Sequence, residues 1–436
     1  MKYLFFILFL SSTNIFSQDS IHSKIPFDGM DLSWINGQNR QQHFPLQLVD
    51  KQTGEIVCTG VAYLDTYFNY NFANPQDNTQ TISSTIGRHK EFTLNLASVG
   101  IETNYKNMIG RIWLQFGQMA SIIQDQDGTV LRGRNTSIQN LKYIREAAAG
   151  YHFNKVYGIN VEMGIFMSYI GLESYVTQEN WSYQRSMVCD FTPFYFSGAR
   201  LQVFPSKKFK TELWLLNGWQ TYNSWSKNPG LGLSNYFRPN ENLQLVANFY
   251  WGQDTRNSSR HRFHHDNSIV GRYYHNKNSP GVSQAAFSIN THYGFETGNG
   301  VTRNQQYMAG TSIAHRTWFN KNRLALTFRT DFVTNPGLYL SFSPSPVTPN
   351  DFTEAIANDP KRKLNVFQFT STFDIMPTDF VELRFEYGFR KSNLPYFAGK
   401  GGTTSPDGWI DTPTGNWRPD LRKTENRLTI AANFRL

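Results

Sequence analysis

The sequence predicts an all-β fold: a transmembrane antiparallel β-barrel of about sixteen strands, with short periplasmic turns and long extracellular loops. Three observations predict this fold. The chain opens with an export signal, its apolar residues recur with a period of two in segment after segment, and its connections alternate between short and long. A sheet can span lipid only when it is closed, because every backbone N–H and C=O must then be paired within the protein.

The N-terminus, MKYLFFILFLSSTNIFSQ, has the layout of a secretory signal peptide. Lys2 precedes an apolar run from Tyr3 to Leu10, and small and polar residues follow, with cleavage expected after Ser17. The run is too short for a spanning helix, which needs roughly twenty apolar residues. We therefore expect an exported protein with residues 1–17 removed, and the strand pattern described below places it in the bacterial outer membrane.

The composition is polar on average yet rich in aromatic residues. The mean hydropathy is −0.49, while the chain holds 35 Phe, 22 Tyr and 10 Trp. Among exported all-β proteins, a soluble sandwich or propeller and an outer-membrane barrel both fit this composition. The net charge of +9 suits anionic lipid headgroups or an anion-attracting pore, and it does not decide between them.

Alternation is clearest in the first and last predicted strands. Leu64, Thr66 and Phe68 share one face of the first, and Asp65 and Tyr67 share the other. In the last strand apolar residues alternate with polar or small ones up to the final residue, at Leu428, Ile430, Ala432, Phe434 and Leu436. Such segments are about ten residues long, as a tilted strand needs to cross a bilayer.

The connections favour a barrel over a sandwich. Links near 105–107, 205–209 and 320–322 are short, whereas those near 168–193 and 391–425 are long. Counting three weaker strands (around 232–237, 267–275 and 306–315) gives about sixteen strands, an even number as in bacterial single-chain barrels.

Closure requires the last strand to pair with the first, near Val61–Phe72. The terminal segment also looks like the signal by which the barrel-assembly machinery recognises its substrates. We therefore expect residues 58–436 to form the barrel. Residues 18–57 show no clear period and are a periplasmic extension or a segment in the lumen; Trp34 and Phe44 favour the lumen or its rim.

Charged residues on the non-lipid face are the candidate pore lining, since an arginine on the lipid face would cost about 2–4 kcal/mol near the midplane. They are Arg323, Arg329, Asp331, Glu382, Arg384, Glu386, Arg390, Arg427 and Arg435. Such charges bias which ions pass a water-filled pore, or they form a structural ladder of cross-strand ion pairs. The two interpretations are compatible. Arg145 shares a face with Tyr143 and Ala147, so it must lie at headgroup level or the assumed register is wrong.

Two further groups have a functional and a structural interpretation. The segment RHRFHHDNS, Arg260–Ser268, could ligate Zn or Cu, but we interpret it as an external loop and predict no metal site. Most of eight aromatic residues are expected in the girdles at the membrane interfaces, with sugar stacking along a pore as the alternative. These are Trp113, Tyr222, Trp225, Tyr236, Trp251, Tyr273, Tyr274 and Trp318.

Several segments are together similar to the putative β-barrel porin-2 family, outer-membrane proteins common in Bacteroidetes-type bacteria. They include LDTYFNYNF (64–72), EAAAGYHF (146–153), GIFMSYIGLES (164–174), NWSYQRS (180–186) and PFYFSGARL (193–201). The resemblance covers most of the chain and implies a porin-like barrel, without identifying a solute. It also marks the Tyr169–Ser186 loop, with Glu173, Tyr183 and Arg185, as a candidate pore constriction; an external loop held by aromatic packing is the alternative.

The function expected from these features is passive diffusion of small hydrophilic solutes through a porin, with weak anion preference. An enzyme or adhesin on the same barrel is the alternative. The sequence holds no G-x-S-x-G elbow, phosphate loop, H-E-x-x-H or dinucleotide fingerprint, so we predict no enzyme, no cofactor and no nucleic-acid partner. Its expected partners are outer-membrane lipid, the solutes and the assembly machinery. The sequence does not distinguish a monomer from a homotrimer.

Overall fold

The computed structural model describes residues 26–35, 44–80, 83–129, 139–224, 226, 228–253, 259–340, 344–345, 349–359 and 362–436. The predicted signal peptide lies outside these ranges. Neither helix of the described part, α1 (Gln118–Asp125) or α2 (Asp351–Asn358), has the length and hydropathy needed to cross a membrane.

Sixteen long strands of the described chain form one sheet. In chain order β1 to β16 are Ile56–Asn71, Phe92–Tyr105, Met108–Phe116, Ile144–Phe153, Ile159–Met167, Tyr195–Ser206, Phe209–Leu216, Gly230–Asn240, Leu243–Gly252, His261–His275, Val282–Thr297, Tyr307–Phe319, Leu324–Pro336, Lys363–Ile375, Val381–Ser392 and Thr424–Arg435. A three-residue strand, Gln47–Val49, also pairs with β1. Outside the barrel, Phe397–Ala398 pairs with Leu421–Arg422 in the longest loop.

The sheet closes on itself. Each strand pairs antiparallel with the next, and β16 pairs with β1, with Leu428 opposite Tyr70 and Phe434 opposite Leu64. At the chain end the backbones of Ala62 and Leu436 exchange two hydrogen bonds, of 3.0 and 2.9 Å. The predicted closed barrel, its strand number and its closing pair are confirmed.

The period of two separates an apolar exterior from a polar interior. In β15 the outward side chains of Leu383 and Phe385 are 38% and 42% exposed, whereas Glu382, Arg384 and Glu386 between them are buried. Soluble proteins show the opposite distribution, with apolar side chains buried and charged ones exposed. An exposed apolar band around buried charges is the arrangement that a bilayer stabilises.

The connections keep the predicted alternation. Those at one end run from two residues (106–107) to six (276–281), and those at the other from eight (253–260) to thirty-one (393–423). The three weaker strands are present as β8, β10 and β12. The interpretation of RHRFHHDNS as an external loop is wrong, because β10 begins at His261 and carries the rest of the segment.

Arg145 does not face lipid. The pairing of β3 with β4 shifts by one residue between Trp113 and Leu114, where Glu146 and Ile144 are the successive partners. This bulge turns the Arg145 side chain inward, where its guanidinium carbon lies 3.8 Å from the centroid of the Trp113 ring. The register assumed from the sequence was therefore wrong at this point.

Candidate pore and its lumenal loop

The connection between β5 and β6, residues 168–194, folds into the barrel. Its segment Tyr169–Ser186 contains the candidate constriction residues Glu173, Tyr183 and Arg185, and all three are buried. We call residues 168–194 the lumenal loop. Of the two interpretations left open by the sequence, the geometry is that of a loop inside the lumen, although aromatic packing also contributes, as in the edge contact of Trp181 with Trp318 at 5.7 Å.

Arg384 of β15 binds the backbone of the lumenal loop. Its Nη1 and Nη2 donate to the carbonyl oxygens of Thr177 at 2.7 Å and Asn180 at 2.8 Å, and its Nε donates to Asp374 at 2.9 Å. Asp374 also accepts from Arg316 at 2.5 Å. Asp374 thus lies between two guanidinium groups that both donate to loop carbonyls, since Arg316 also donates to the Trp181 carbonyl at 2.8 Å.

Carboxylates of the wall hold the backbone N–H groups of the same loop. Glu386 accepts hydrogen bonds from the N–H of Tyr183 at 2.7 Å and of Gln184 at 3.2 Å. In the other direction, Arg329 reaches Glu173 of the loop at 2.9 Å and the Gln184 carbonyl at 2.7 Å. Charged hydrogen bonds of this kind are stronger than neutral ones, so they fix the loop to β13 and β15. The loop also reaches β9 and β10, where Tyr169 Oη donates to the Phe249 carbonyl at 2.9 Å and the Gly171 N–H donates to Asp266 at 3.2 Å.

Asp65 of β1 adds a further attachment. Its carboxylate accepts from Tyr183 Oη at 2.9 Å, Thr177 Oγ1 at 3.0 Å and Asn95 Nδ2 at 2.7 Å. Burial raises the pKa of the Tyr183 phenol well above its usual value, so the phenol keeps its proton and remains a donor. The lumenal loop is thus bound by β1, β13 and β15 together.

The structure places the predicted pore-lining residues in three settings. Seven are buried in the interior within ion-pair distance of an opposite charge: Arg329, Asp331, Glu382, Arg384, Glu386, Arg390 and Arg427. Arg435 is half-buried and donates to Glu179 of the loop at 2.5 Å. Arg323 is exposed in the turn before β13, so its assignment to the interior was wrong: the strand, and with it the alternation, begins one residue later.

Arg185 lies apart from the ion pairs. It is buried, and its guanidinium carbon is 4.7 Å from the centroid of the Phe194 ring. Cys189, also in the lumenal loop, lies near it, and burial raises the pKa of that thiol to about 12. Neither side chain is among those that line the wall cavity described below.

The histidines of the RHRFHHDNS segment are divided between the two faces of β10. His264 is buried, and its Nε2 lies 3.0 Å from Nδ1 of His292 and its Nδ1 3.0 Å from Tyr339 Oη. His265 instead stacks on Phe249 with a centroid distance of 4.4 Å. Among the described residues, no three His, Cys, Asp or Glu side chains are arranged to hold a metal ion.

The predicted aromatic girdle is correct for only part of its members. Trp251, Tyr273 and Tyr274 are exposed on the outside, as expected. The others within the described ranges point into the interior, where they contact cationic or aromatic side chains: Trp113, Tyr222, Tyr236 and Trp318. Trp225 lies outside the described residues. Aromatic residues suit both environments, so residue type alone could not separate them.

Residues 26–35 lie at the short-turn end of the barrel. The Trp34 side chain is 3% exposed, and its Nε1 donates to the carbonyl oxygens of Asp31 at 2.9 Å and Glu241 at 3.1 Å. The Trp34 carbonyl in turn accepts from Trp181 of the lumenal loop at 3.0 Å. This segment, which we call the inner cover, therefore connects the turn between β8 and β9 with the lumenal loop.

Between the lumenal loop and the β8–β10 wall there is a cavity of about 120 Å³. We call it the wall cavity. Its lining includes Glu173, Ser174 and Glu179 of the loop and Tyr236, Gln244 and Ser268 of the wall. On the other side of the loop, next to Arg329 and Ser288, the void measures only about 10 Å³. The larger of these two cavities therefore lies between the loop and strands β8–β10.

Sequence reasoning missed several residues that determine this geometry. Arg316 and Asp374 were not singled out, although Asp374 lies at an inward position of a predicted strand and Arg316 directly follows another. Asp65 was assigned to the polar face but given no role. The signal that could have found them is an ionisable residue on the inward face opposite a loop entering the lumen, which is recognisable only once the loop is known to be there.

Comparisons with known proteins agree with this architecture. The family model described as "Putative beta-barrel porin-2, OmpL-like" matches residues 58–436. A comparison with curated proteins finds no match.

Three solved structures share the fold at low sequence identity. The outer membrane channel DcaP of Acinetobacter baumannii is 12% identical with a TM-score of 0.51, over 90% of this chain and 100% of that chain. An anion-selective porin from Comamonas acidovorans is 8% identical with a TM-score of 0.52, over 87% and 99%. OprB of Pseudomonas putida is 8% identical with a TM-score of 0.50, over 87% and 94%.

At these identities the structural likeness concerns the fold alone. The family assignment rests on the match across the whole barrel, from Cys58 to Leu436. The closed sixteen-stranded sheet, the apolar exterior and the polar interior are consistent with it. The chain belongs to the Putative beta-barrel porin-2, OmpL-like family and is a porin of the bacterial outer membrane.

Proposed function

We propose that this porin lets small hydrophilic solutes diffuse passively across the outer membrane, through a lumen that the lumenal loop narrows. The observation that carries the proposal is the attachment of residues 168–194 inside the barrel by Arg329, Arg384 and Glu386, with the wall cavity between the loop and strands β8–β10. Pore width is then set by how far the loop reaches across the barrel.

The interior charges support weak ion selectivity. The predicted pore-lining arginines of the interior each have a carboxylate partner, such as Asp374 for Arg384 at 2.9 Å and Glu425 for Arg427 at 3.1 Å. Paired charges produce a smaller field in a pore than a ring of one sign. We therefore propose that these residues chiefly anchor the loop and that any anion preference is small.

Planar-bilayer recording of the purified barrel tests the proposal. A porin gives ohmic steps in current, and proteoliposomes containing it swell in small sugars. A barrel with an enzymatic or adhesive role in place of a channel would stay nearly silent in both assays. Silence in both would reject the proposal.

The proposal includes four further points, which concern processing of the chain, its N-terminal segment, its assembly and its oligomeric state. The signal peptide is cleaved after Ser17, the part of residues 18–57 that precedes the sheet forms a periplasmic or lumenal segment, and the C-terminal strand is recognised by the barrel-assembly machinery. The functional unit is a homotrimer or a monomer, which the native mass in detergent distinguishes. No cofactor or nucleic acid is part of the proposed function.

Removing the Trp34 side chain tests the inner cover. Trp34→Ala deletes the ring against which Arg272 packs at 5.1 Å and both hydrogen bonds of the indole. Truncating a buried tryptophan costs about 3–5 kcal/mol, so the segment is expected to detach and the single-channel conductance to rise. The exposed Trp409→Ala is the matched control. Equal conductance in both variants would show that residues 26–35 do not obstruct the path.

A further inference from the structure

The wall cavity combines free volume with unused hydrogen-bonding groups. Ser268 lies on the inward face of β10 and is 2% exposed, and its hydroxyl has no hydrogen-bond partner within the described part of the chain. Buried polar groups in folded proteins nearly always have a partner. A buried, unpartnered hydroxyl that lines a cavity therefore indicates a place for water or a polar ligand.

Gln244 supplies a second group. Its Oε1 accepts from Nε and Nη2 of Arg238 at 2.7 and 2.5 Å. These two bonds fix the orientation of the Gln244 amide and use its oxygen as an acceptor. Its NH₂ group donates no hydrogen bond to any described residue. A solute in the cavity would thus find an amide donor from β9 beside the Ser268 hydroxyl of β10.

The carboxylates that line the cavity are neutralised by arginines. Glu173 binds Arg329 at 2.9 Å, and Glu179 binds Arg435 at 2.5 Å. On the wall, Tyr236 lies 3.9 Å beneath Nζ of Lys210, which is itself paired with Glu212 at 2.9 Å. The lining therefore offers hydroxyl and amide groups and an aromatic ring, but no charge without a counter-charge.

We propose that the wall cavity is the narrowest part of the solute path and that it favours small uncharged polyhydroxy compounds over ions. A solute hydroxyl both donates and accepts hydrogen bonds, so it can bind the Ser268 hydroxyl and accept from the Gln244 amide. The lining has no unpaired charge to bind an ion, and an uncharged solute does not need one. The volume of about 120 Å³ holds several water molecules, so larger members of the class pass only when the lumenal loop shifts. This inference deepens the proposed function and rests on it.

Cysteine labelling tests the location. In proteoliposomes, Ser268→Cys is treated with methanethiosulfonate reagents that carry a trimethylammonium or a sulfonate group. Swelling in arabinose is expected to fall several-fold after either label, and the reversal potential in a KCl gradient to move toward anion preference with the first and cation preference with the second. Ser288→Cys, beside the void of about 10 Å³, is the matched control, and the unsubstituted protein controls for Cys58 and Cys189.

A second variant tests the same position without chemical labelling. Ser268→Asp is expected to shift the reversal potential toward cations and to slow arabinose entry, while Ser288→Asp does neither. A wild-type barrel that passes neither ions nor arabinose overturns the proposed function and this inference together. Suppose instead that the wild type conducts, and that labelled Ser268→Cys and Ser268→Asp keep the wild-type reversal potential and rate of arabinose entry. That result overturns this inference alone. A wild-type barrel that admits chloride in preference to arabinose also overturns this inference alone.

Discussion

Replacing Arg384 by methionine is expected to raise the single-channel conductance and to destabilise the lumenal loop. Methionine fills a similar volume but removes the donors to the Thr177 and Asn180 carbonyls. Breaking a buried charged interaction costs about 3–5 kcal/mol, and about 3 kcal/mol corresponds to roughly a hundredfold shift from the attached to the detached loop. The measurement is the distribution of conductance steps in planar bilayers.

The control for this variant is Arg323→Met, at the arginine that the structure places in an exposed turn. It removes the same charge and leaves the loop attachments intact, so its conductance is expected to equal that of the wild type. If a folded Arg384→Met barrel showed wild-type conductance as well, the attachment of the loop to β15 would not limit the pore.

Truncating the chain after Lys423 is expected to abolish the folded barrel. The deletion removes β16 and exposes the edges of β15 and β1, which make ladders with it from Val381–Phe434 to Lys391–Thr424 and from Arg427–Asn71 to Arg435–Tyr63. Each unpaired backbone group in hydrocarbon costs several kcal/mol. The altered gel mobility of folded barrels before heating should therefore disappear.

A milder variant separates the backbone pairing of β16 from the contribution of its terminal aromatic side chain. Phe434→Ser keeps every backbone hydrogen bond of β16 and removes the aromatic ring from the lipid face. It is expected to fold in detergent and to assemble more slowly in cells if, as we propose, the terminal strand is also the signal that the assembly machinery recognises. A truncated chain that still migrated as a folded barrel would contradict the closure by β16 and β1.

Most of the barrel could be predicted from the sequence because one local rule repeats. In a strand that faces lipid on one side and water or packed polar groups on the other, a period of two follows directly from the pleat. Leu383, Phe385 and Tyr387 against Glu382, Arg384 and Glu386 illustrate it. Residues near strand ends, such as Arg323, and at the β4 bulge, such as Arg145, escaped the rule because bulges and turns are set by pairing with a neighbouring strand.

The site could be predicted only in part. The loop with Glu173, Tyr183 and Arg185 was recognisable as a candidate constriction, but its partners are distant in sequence, such as Asp65 and Glu386, which lie 118 and 203 positions from Tyr183. No local pattern specifies contacts over such separations. The position of the wall cavity likewise depends on where the loop packs, so the roles proposed for Gln244 and Ser268 could be inferred only from the folded barrel.

The central claim is that apolar side chains of every strand face acyl chains while their neighbours face the lumen. Nitroxide labels at each position from Leu428 to Phe434 in β16 test it most directly, by the accessibility of each label to lipid-dissolved oxygen. The account predicts a period of two, with maxima at 428, 430, 432 and 434. Maxima at 429, 431 and 433, or an accessibility without alternation, would contradict it.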